Sequence, residues 1–353
     1  MHNRDSVSTL RATLTMLPKI ELHRHLEGSL RLTTLREIAA TYPIDLPAHN
    51  VEALRPYVQV LNDEPNFRNF LDKFTYLRRF YQSPELINRM AYEVIEDAAN
   101  DNILYLELRF TPAALSKTRG YSLHEVTHWV LEAVRRARRD FPQMQVELIA
   151  SVNRHESLRI AETVVDIAVR HKDDIVGLDL AGDEFNFPAT PFAPLFREAK
   201  REGLGITIHA GEWTGSGNVR EAIELLGADR IGHGVRVVES PDIVALAQEH
   251  STAFEVCLTS NLQSGVIQRM SEHPIAHMRD LNLRATINTD DPSVSNITLT
   301  DEYEMMTESL GFTPTDIQRF ILTSAQCAFL PEAKRQKLVA QFTQLLSQPA
   351  PVH

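Results

Sequence analysis

Pro18-Lys19-Ile20-Glu21-Leu22-His23-Arg24-His25-Leu26-Glu27-Gly28-Ser29 is a short apolar run that delivers two histidines one residue apart and then turns at a glycine. It reads as a strand ending in a metal site. Residues i and i+2 of a strand point the same way, so His23 and His25 offer both imidazoles to one ion from one side of a sheet. Neutral imidazole is a common ligand for zinc and similar ions. With 14 histidines in the chain, the pair takes its meaning from what the other strands bring to it.

Seven further segments share the pattern of a short Val-, Ile- and Leu-rich run ending in a polar residue or glycine: Ile103 to Phe110, Gln145 to Ser151, Ile175 to Leu180, Gly205 to His209, Arg230 to His233, Ala253 to Cys257 and Arg284 to Asn288. Helical patterns lie between most of them, at Leu123 to Arg139, Ser157 to His171, Phe192 to Glu202, Val219 to Leu226, Pro241 to His250 and Ile275 to Leu281. That alternation implies parallel strands with crossover helices. Eight such units predict an α/β fold, a closed (β/α)8 TIM-type barrel with its active site at the C-terminal ends of the strands. An open doubly wound sheet would not gather histidines spread over the whole chain, and no Gly-rich fingerprint follows the first strand.

The chain, 1–353, reads as one domain with two additions to the repeat. Extra helices are expected between strands 1 and 2, about residues 31–100, where Phe67, Phe70, Leu71, Phe74, Leu77 and Tyr81 follow helical spacing. These residues are read first as core packing, with contact to substrate as the alternative. More helices are expected over about 300–347, starting at Thr313-Pro314-Thr315-Asp316 and Pro331-Glu332 and closing the bottom or side of the barrel, with a frayed tail from Gln348.

Composition narrows the partners. Thirty-six Lys plus Arg against 47 Asp plus Glu give a net charge of −11, which argues against nucleic acid and for a small neutral or cationic substrate. Two cysteines, Cys257 and Cys327, are too few for a disulfide framework or a thiolate zinc site and suit a reducing compartment. Met1 to Leu17 lacks the apolar core of a signal peptide, and no run reaches membrane-span length, so the expected location is cytoplasmic.

Later strand ends complete a chemical set. Ile206-Thr207-Ile208-His209-Ala210-Gly211-Glu212 adds a third histidine, with a carboxylate three residues on. A catalytic zinc usually keeps three protein ligands and an open position, while a nearby carboxylate moves protons. His209 suits the ligand role and Glu212 the proton role. His233, between Gly232 and Gly234, is either a fourth ligand or a catalytic base. In Thr289-Asp290-Asp291-Pro292 the adjacent carboxylates cannot face one way; either one binds metal and the other meets substrate, or the stretch is an Asp-Pro loop capping the next helix. Nitrogen ligands with one carboxylate favour zinc over iron or manganese. Asp179-Leu180-Ala181-Gly182-Asp183 carries no lysine, against a binuclear site.

These motifs, in this order, resemble the adenosine deaminase family of metal-dependent hydrolases from about Pro18 through Tyr303. The resemblance implies one Zn2+ held by His23, His25, His209 and Asp290. Glu212 is then the proton donor to purine N1, and His233 orients the attacking hydroxide and handles its proton. Glu27, the Gly182 backbone N–H and Asp291 become the contacts to sugar, ring N3 and ring N7. The implied reaction turns adenosine or 2′-deoxyadenosine into the inosine product and ammonia, as in purine salvage. Alternatives are the same deamination of adenine, a futalosine-type nucleoside or an N6-substituted adenosine, or another amidohydrolase reaction. Glu27 stands where many adenosine deaminases carry aspartate, Leu258 where proline is usual and Ser295 where an aromatic is common.

Overall fold

Each of the eight apolar segments becomes a strand. The computed structural model describes residues 10–46, 50–61 and 63–348. Its strands are β1 (Lys19–His25), β2 (Ile103–Phe110), β3 (Gln145–Asn153), β4 (Ile175–Ala181), β5 (Gly205–Ala210), β6 (Arg230–His233), β7 (Ala253–Val256) and β8 (Arg284–Ile287). They pair in parallel and in sequence order. Helices alternate with them, as expected of a (β/α)8 barrel.

Closure between β8 and β1 is made by the residues of the strand ends. Arg24 and Asp290 form an isolated bridge, with His25 N–H donating to the Asp290 carbonyl at 2.8 Å and Asp290 N–H to the His23 carbonyl at 2.9 Å. Asn288, expected as the last strand residue, instead accepts Leu22 N–H on its side-chain oxygen at 2.9 Å. The seam of the barrel and the candidate site therefore share residues.

Among the described residues, the α-helices of the insertion are Leu32–Thr41, Val51–Val58, Phe67–Leu77 and Pro84–Asn100. Their starts are local chemistry: the side chains of Asn50, Asn66 and Ser83 each cap a following backbone N–H, and Pro84 occupies the first helical turn. Leu77 and Tyr81 pack in the core as read from the sequence. Phe70, Leu71 and Phe74 do more, since they line the cavity above the strand ends. The segment Val219 to Leu226 departs from a simple helix: Gly217–Glu221 is α-helical and Ala222–Leu226 is a π turn ended by Gly227 at φ 73°.

Helices Leu299–Leu310, Pro314–Cys327 and Glu332–Ser347 follow β8. The first two begin in capping boxes, Thr298 with Asp301 and Thr313 with Asp316. Pro314–Cys327 packs along β8 and β1, and the chain after it brings Phe329 beneath the barrel. Side and bottom are thus both covered. Of the tail read as frayed, all but Gln348 lies outside the described residues, as does 1–9 of the leader reading. Among the described residues no helix is long and apolar enough to cross a membrane.

The barrel interior is unusually charged. Glu107, Arg109, Asp179, Arg230 and Glu255 are all 0 to 1% exposed. Arg230 donates to Glu107 at 2.5 Å and to Glu255 at 2.6 Å, while its guanidinium lies 3.5 Å from the centroid of the Phe329 ring. Buried charges survive only when paired, so this lattice fixes the strands relative to one another. Gly205 leaves room for Phe329, because a Cβ there would sit 2.3 Å from the ring. Gly205→Ala is expected to cost about 1–3 kcal/mol by overpacking. Gly217→Ala, which meets nothing within 4 Å, serves as the control in the same urea melts.

Candidate active site

β1 carries His23 and His25, β5 carries His209, and Asp290 follows β8. Asp290 Oδ1 lies 3.1 Å from His23 Nε2 and 3.4 Å from His25 Nε2, and His25 Nε2 lies 3.3 Å from His209 Nε2. Ligands about 2.1 Å from one ion in a tetrahedron stand about 3.4 Å apart. These spacings match that edge. His23 Nε2 is buried and has no hydrogen-bond partner, a polar atom left for something the protein does not supply.

The rings are aimed from behind. His23 Nδ1 pairs with Glu255 at 2.8 Å and His209 Nδ1 with Asp179 at 2.9 Å. Each pairing turns the Nε2 atom toward the shared centre, the arrangement that orients histidine ligands in metal sites. Arg109 donates to the same Glu255 oxygen at 2.8 Å and lies 3.5 Å from Asp179, joining the two supports. Burial alone would raise the carboxyl of Asp290, but His233 and His23 hold it well below the usual carboxylate range. Burial also keeps His25 neutral, as a ligand must be. Gly232 is small for a reason: a Cβ would press at 3.1 Å on both His209 and His23.

His233 joins the group at a greater distance. The ligand-capable atoms of His23, His209, His233 and Asp290 fall within 4.8 Å of one another, as do those of His25, Asp179 and His209. His233 Nε2, however, is 3.7 Å from Asp290 Oδ2 and 3.6 Å from Glu212 Oε2. It stands outside the tetrahedral edge. Asp179 is engaged behind His209. Both His233 and Asp290 hold left-handed backbone, φ 57° and 64°. For such residues this costs about 1–3 kcal/mol and is characteristic of functional positions.

Glu212 is buried on the loop after β5. Burial, reinforced by the charges of Asp290 and Glu184, pushes its carboxyl well above the usual range, which favours the protonated form. Glu184 holds that loop, its carboxylate accepting the backbone N–H groups of Gly211, Glu212, Trp213 and Thr214 at 2.5 to 2.9 Å. Asp291 is likewise raised by burial and by Asp290, with Oδ1 unpartnered. A Cβ at Gly28 would fall 1.8 Å from that oxygen, which explains the glycine. Glu27 Oε1 accepts Thr111 N–H at 2.6 Å, leaving buried Oε2 free.

All nine residues singled out in the sequence thus reach one end of the barrel. Except for buried His23, they line a single cavity of about 270 Å³, together with Trp213 and Phe74. Phe67 stacks on Trp213, ring centroids 5.1 Å apart, pinning the insertion to the β5 loop. Sequence reasoning missed the roles of Glu255, Asp179 and Glu184. For the first two a signal existed: Phe254-Glu255-Val256 and Leu178-Asp179-Leu180 set a lone charge inside an apolar strand, where it must find a partner.

The family model for adenosine deaminase matches residues 18–345. The chain belongs to the adenosine deaminase family. It is therefore an aminohydrolase of this metal-dependent group. Among curated relatives, proteins named adenosine deaminase from Serratia proteamaculans and Yersinia enterocolitica are each 37% identical over 322 residues, spanning 91% of this chain and 97% of theirs. Among solved structures, an adenine deaminase from Arthrobacter aurescens superposes with a TM-score of 0.85 at 26% identity, covering 94% of this chain and all of that one. A Burkholderia ambifaria amidohydrolase with bound Zn gives 0.84 at 27%, covering 95% and 93%. The Arabidopsis N6-mAMP deaminase gives 0.84 at 27%, covering 94% and 99%.

Against the family pattern, Leu258 gains a meaning in the structure. Its backbone N–H, which a proline would lack, donates to buried Glu302 at 3.1 Å. Ser295 is buried with its hydroxyl unpartnered.

Proposed function

We propose that the protein is a zinc-dependent aminohydrolase that converts adenosine and 2′-deoxyadenosine to the inosine products and ammonia. One observation carries the reading: His23, His25, His209 and Asp290, linked by ligand-atom spacings of 3.1 to 3.4 Å, stand at the floor of a cavity lined by two buried acids, Glu212 and Asp291, whose carboxyls burial pushes well above the usual range. His23, His25, His209 and Asp290 would hold a single ion, since three imidazoles and one carboxylate suit zinc. When bound, zinc lowers the pKa of a water from 15.7 to about 7 and so supplies a nucleophile at neutral pH.

The chain's own residues account for the rest. Attack at C6 breaks the aromatic ring and drives electron density onto N1. Glu212, protonated and buried, donates its proton there, and the negative charge never develops fully. A purine N7 is an acceptor, so it needs a donor; the neutral carboxyl of Asp291 is one. The Gly182 N–H serves N3 in the same way, and Glu27 Oε2 accepts from a ribose hydroxyl. Ammonia leaves and the 6-oxo purine remains. Two free, buried cysteines agree with a cytoplasmic enzyme.

A second reading changes only the substrate, to adenine or an N6-substituted nucleotide, because solved neighbours carry those activities in their names. Absorbance assays with adenosine, deoxyadenosine, adenine and an N6-methyl nucleotide in parallel separate the two. Adenosine and deoxyadenosine are expected to react fastest, with adenine slowed by the lost sugar contact to Glu27. Turnover of adenine or the nucleotide alone would overturn the adenosine assignment.

A further inference from the structure

His233 is tied to a chain of buried groups behind it. Its Nδ1 lies 3.2 Å from Asn261 Nδ2, and Asn261 Oδ1 lies 3.2 Å from His273 Nε2. His273 Nδ1 in turn accepts the backbone N–H of Ile275 at 3.1 Å. His233, Asn261 and His273 are 1%, 0% and 4% exposed, so water does not compete for these bonds.

The directions follow from the one donor that cannot be reassigned. A backbone N–H only donates, so His273 Nδ1 is a lone pair and the single proton of the neutral ring sits on Nε2. Burial lowers the His273 pKa to about 3, which keeps the ring neutral. The Nε2–H must find an acceptor, and that acceptor is Asn261 Oδ1. Turning the amide over would set two N–H donors against each other. Asn261 Nδ2 therefore donates to His233 Nδ1.

We infer that Ile275, His273 and Asn261 lock His233 as the Nε2–H tautomer, so that His233 acts as a hydrogen-bond donor and neither binds the metal nor takes a proton from the attacking water. Asn261 and His273 are positioning residues. The lock itself stands on geometry alone, while the role of the donor rests on the deaminase reading. His233 Nε2 is 3.6 Å from Glu212 Oε2 and 3.7 Å from Asp290 Oδ2, too far for a direct bond, so its N–H is left to meet an oxygen in the cavity that all three residues line. The Nε2–H donates to that oxygen and turns another of its lone pairs toward C6. As the oxygen bonds to C6, its proton passes to the carboxylate that Glu212 becomes after protonating N1. From there it goes to the departing ammonia, and the proton that the next water gives up as it becomes the nucleophile restores the Glu212 carboxyl. His233 begins and ends the cycle neutral.

Two measurements test this. Two-bond 1H–15N correlation spectra of histidine-labelled, zinc-loaded protein are expected to show His233 protonated on Nε2 alone. A proton on Nδ1, or on both nitrogens, overturns the lock whether or not any purine is turned over. Asn261→Asp replaces the donor facing His233 Nδ1 with an acceptor and so moves the ring proton to Nδ1. With His233 as donor, kcat falls by about 10²- to 10⁴-fold, the scale seen when a catalytic histidine is held in the wrong tautomer. KM and metal content stay within about threefold. A base working through Nε2 would instead gain its lone pair, so unchanged or raised kcat contradicts the inference. His273→Gln, which keeps an N–H for Asn261 Oδ1, is expected to retain more activity than His273→Leu. Equal losses would make His273 merely structural. If Asn261→Asp does not fold, the spectrum of the unmodified protein still decides.

Discussion

Glu212→Gln is expected to bind zinc with unchanged stoichiometry and to lose about 10²- to 10⁴-fold in kcat. The amide keeps the size of the carboxyl and still presents an N–H to the purine, so KM changes little. What it cannot do is give up a proton. Burial and the neighbouring charges of Asp290 and Glu184 make the carboxylate costly and push the Glu212 carboxyl up, which favours the form from which the proposed donation starts. The ring nitrogen relieves that cost as electron density builds on it during attack. Glu184, with its four backbone N–H bonds, keeps the acid in place. Near-normal turnover in purified Glu212→Gln would remove this residue as the proton donor.

Glu255→Gln is expected to damage stability and metal binding together. Glu255 takes Arg109 at 2.8 Å, Arg230 at 2.6 Å, Thr207 at 3.1 Å and His23 at 2.8 Å. Neutralising it leaves two buried guanidinium groups short of charge, a change that typically costs 3–5 kcal/mol, or roughly a third of a domain's stability or more. It also frees the ring of His23, and loss of such a support commonly lowers metal affinity by about 10- to 100-fold. Urea melts and zinc retention on dialysis read the two effects separately. Glu52→Gln, at an exposed pair with Arg55, is the control and is expected to cost under about 1 kcal/mol. Should Glu255→Gln melt and retain zinc like the control, the buried lattice would not be what aims His23.

The barrel was legible because its strands are written as separate apolar runs with helices between them, and local chemistry such as Thr313-Pro314-Thr315-Asp316 marks where helices begin. The site was legible because strand ends converge, so His23, His25, His209, His233 and Asp290 needed no knowledge of contacts to be grouped. What the sequence hid is long-range. That Asp290 bridges to Arg24 and seals the barrel depends on register across the seam. Glu184 gathers the backbone of a loop 27 to 30 residues away, and a carboxylate whose partners are four backbone N–H groups and the amide of Asn218 leaves no oppositely charged side chain to notice. Phe70 and Phe74 have a helical period whether they face core or cavity; their place on the cavity wall comes from contacts distant in sequence, such as Phe67 stacked on Trp213. The direction of the His273, Asn261 and His233 chain hangs on one backbone N–H, that of Ile275.

The most direct test of the account is to strip the metal with a chelator and titrate zinc back while following adenosine absorbance and ammonia release. Activity is expected to be absent at the start, to rise in proportion to added zinc and to level off at one ion per chain. Turnover in the metal-free protein, or a fully loaded site that leaves adenosine and its relatives untouched, would contradict it.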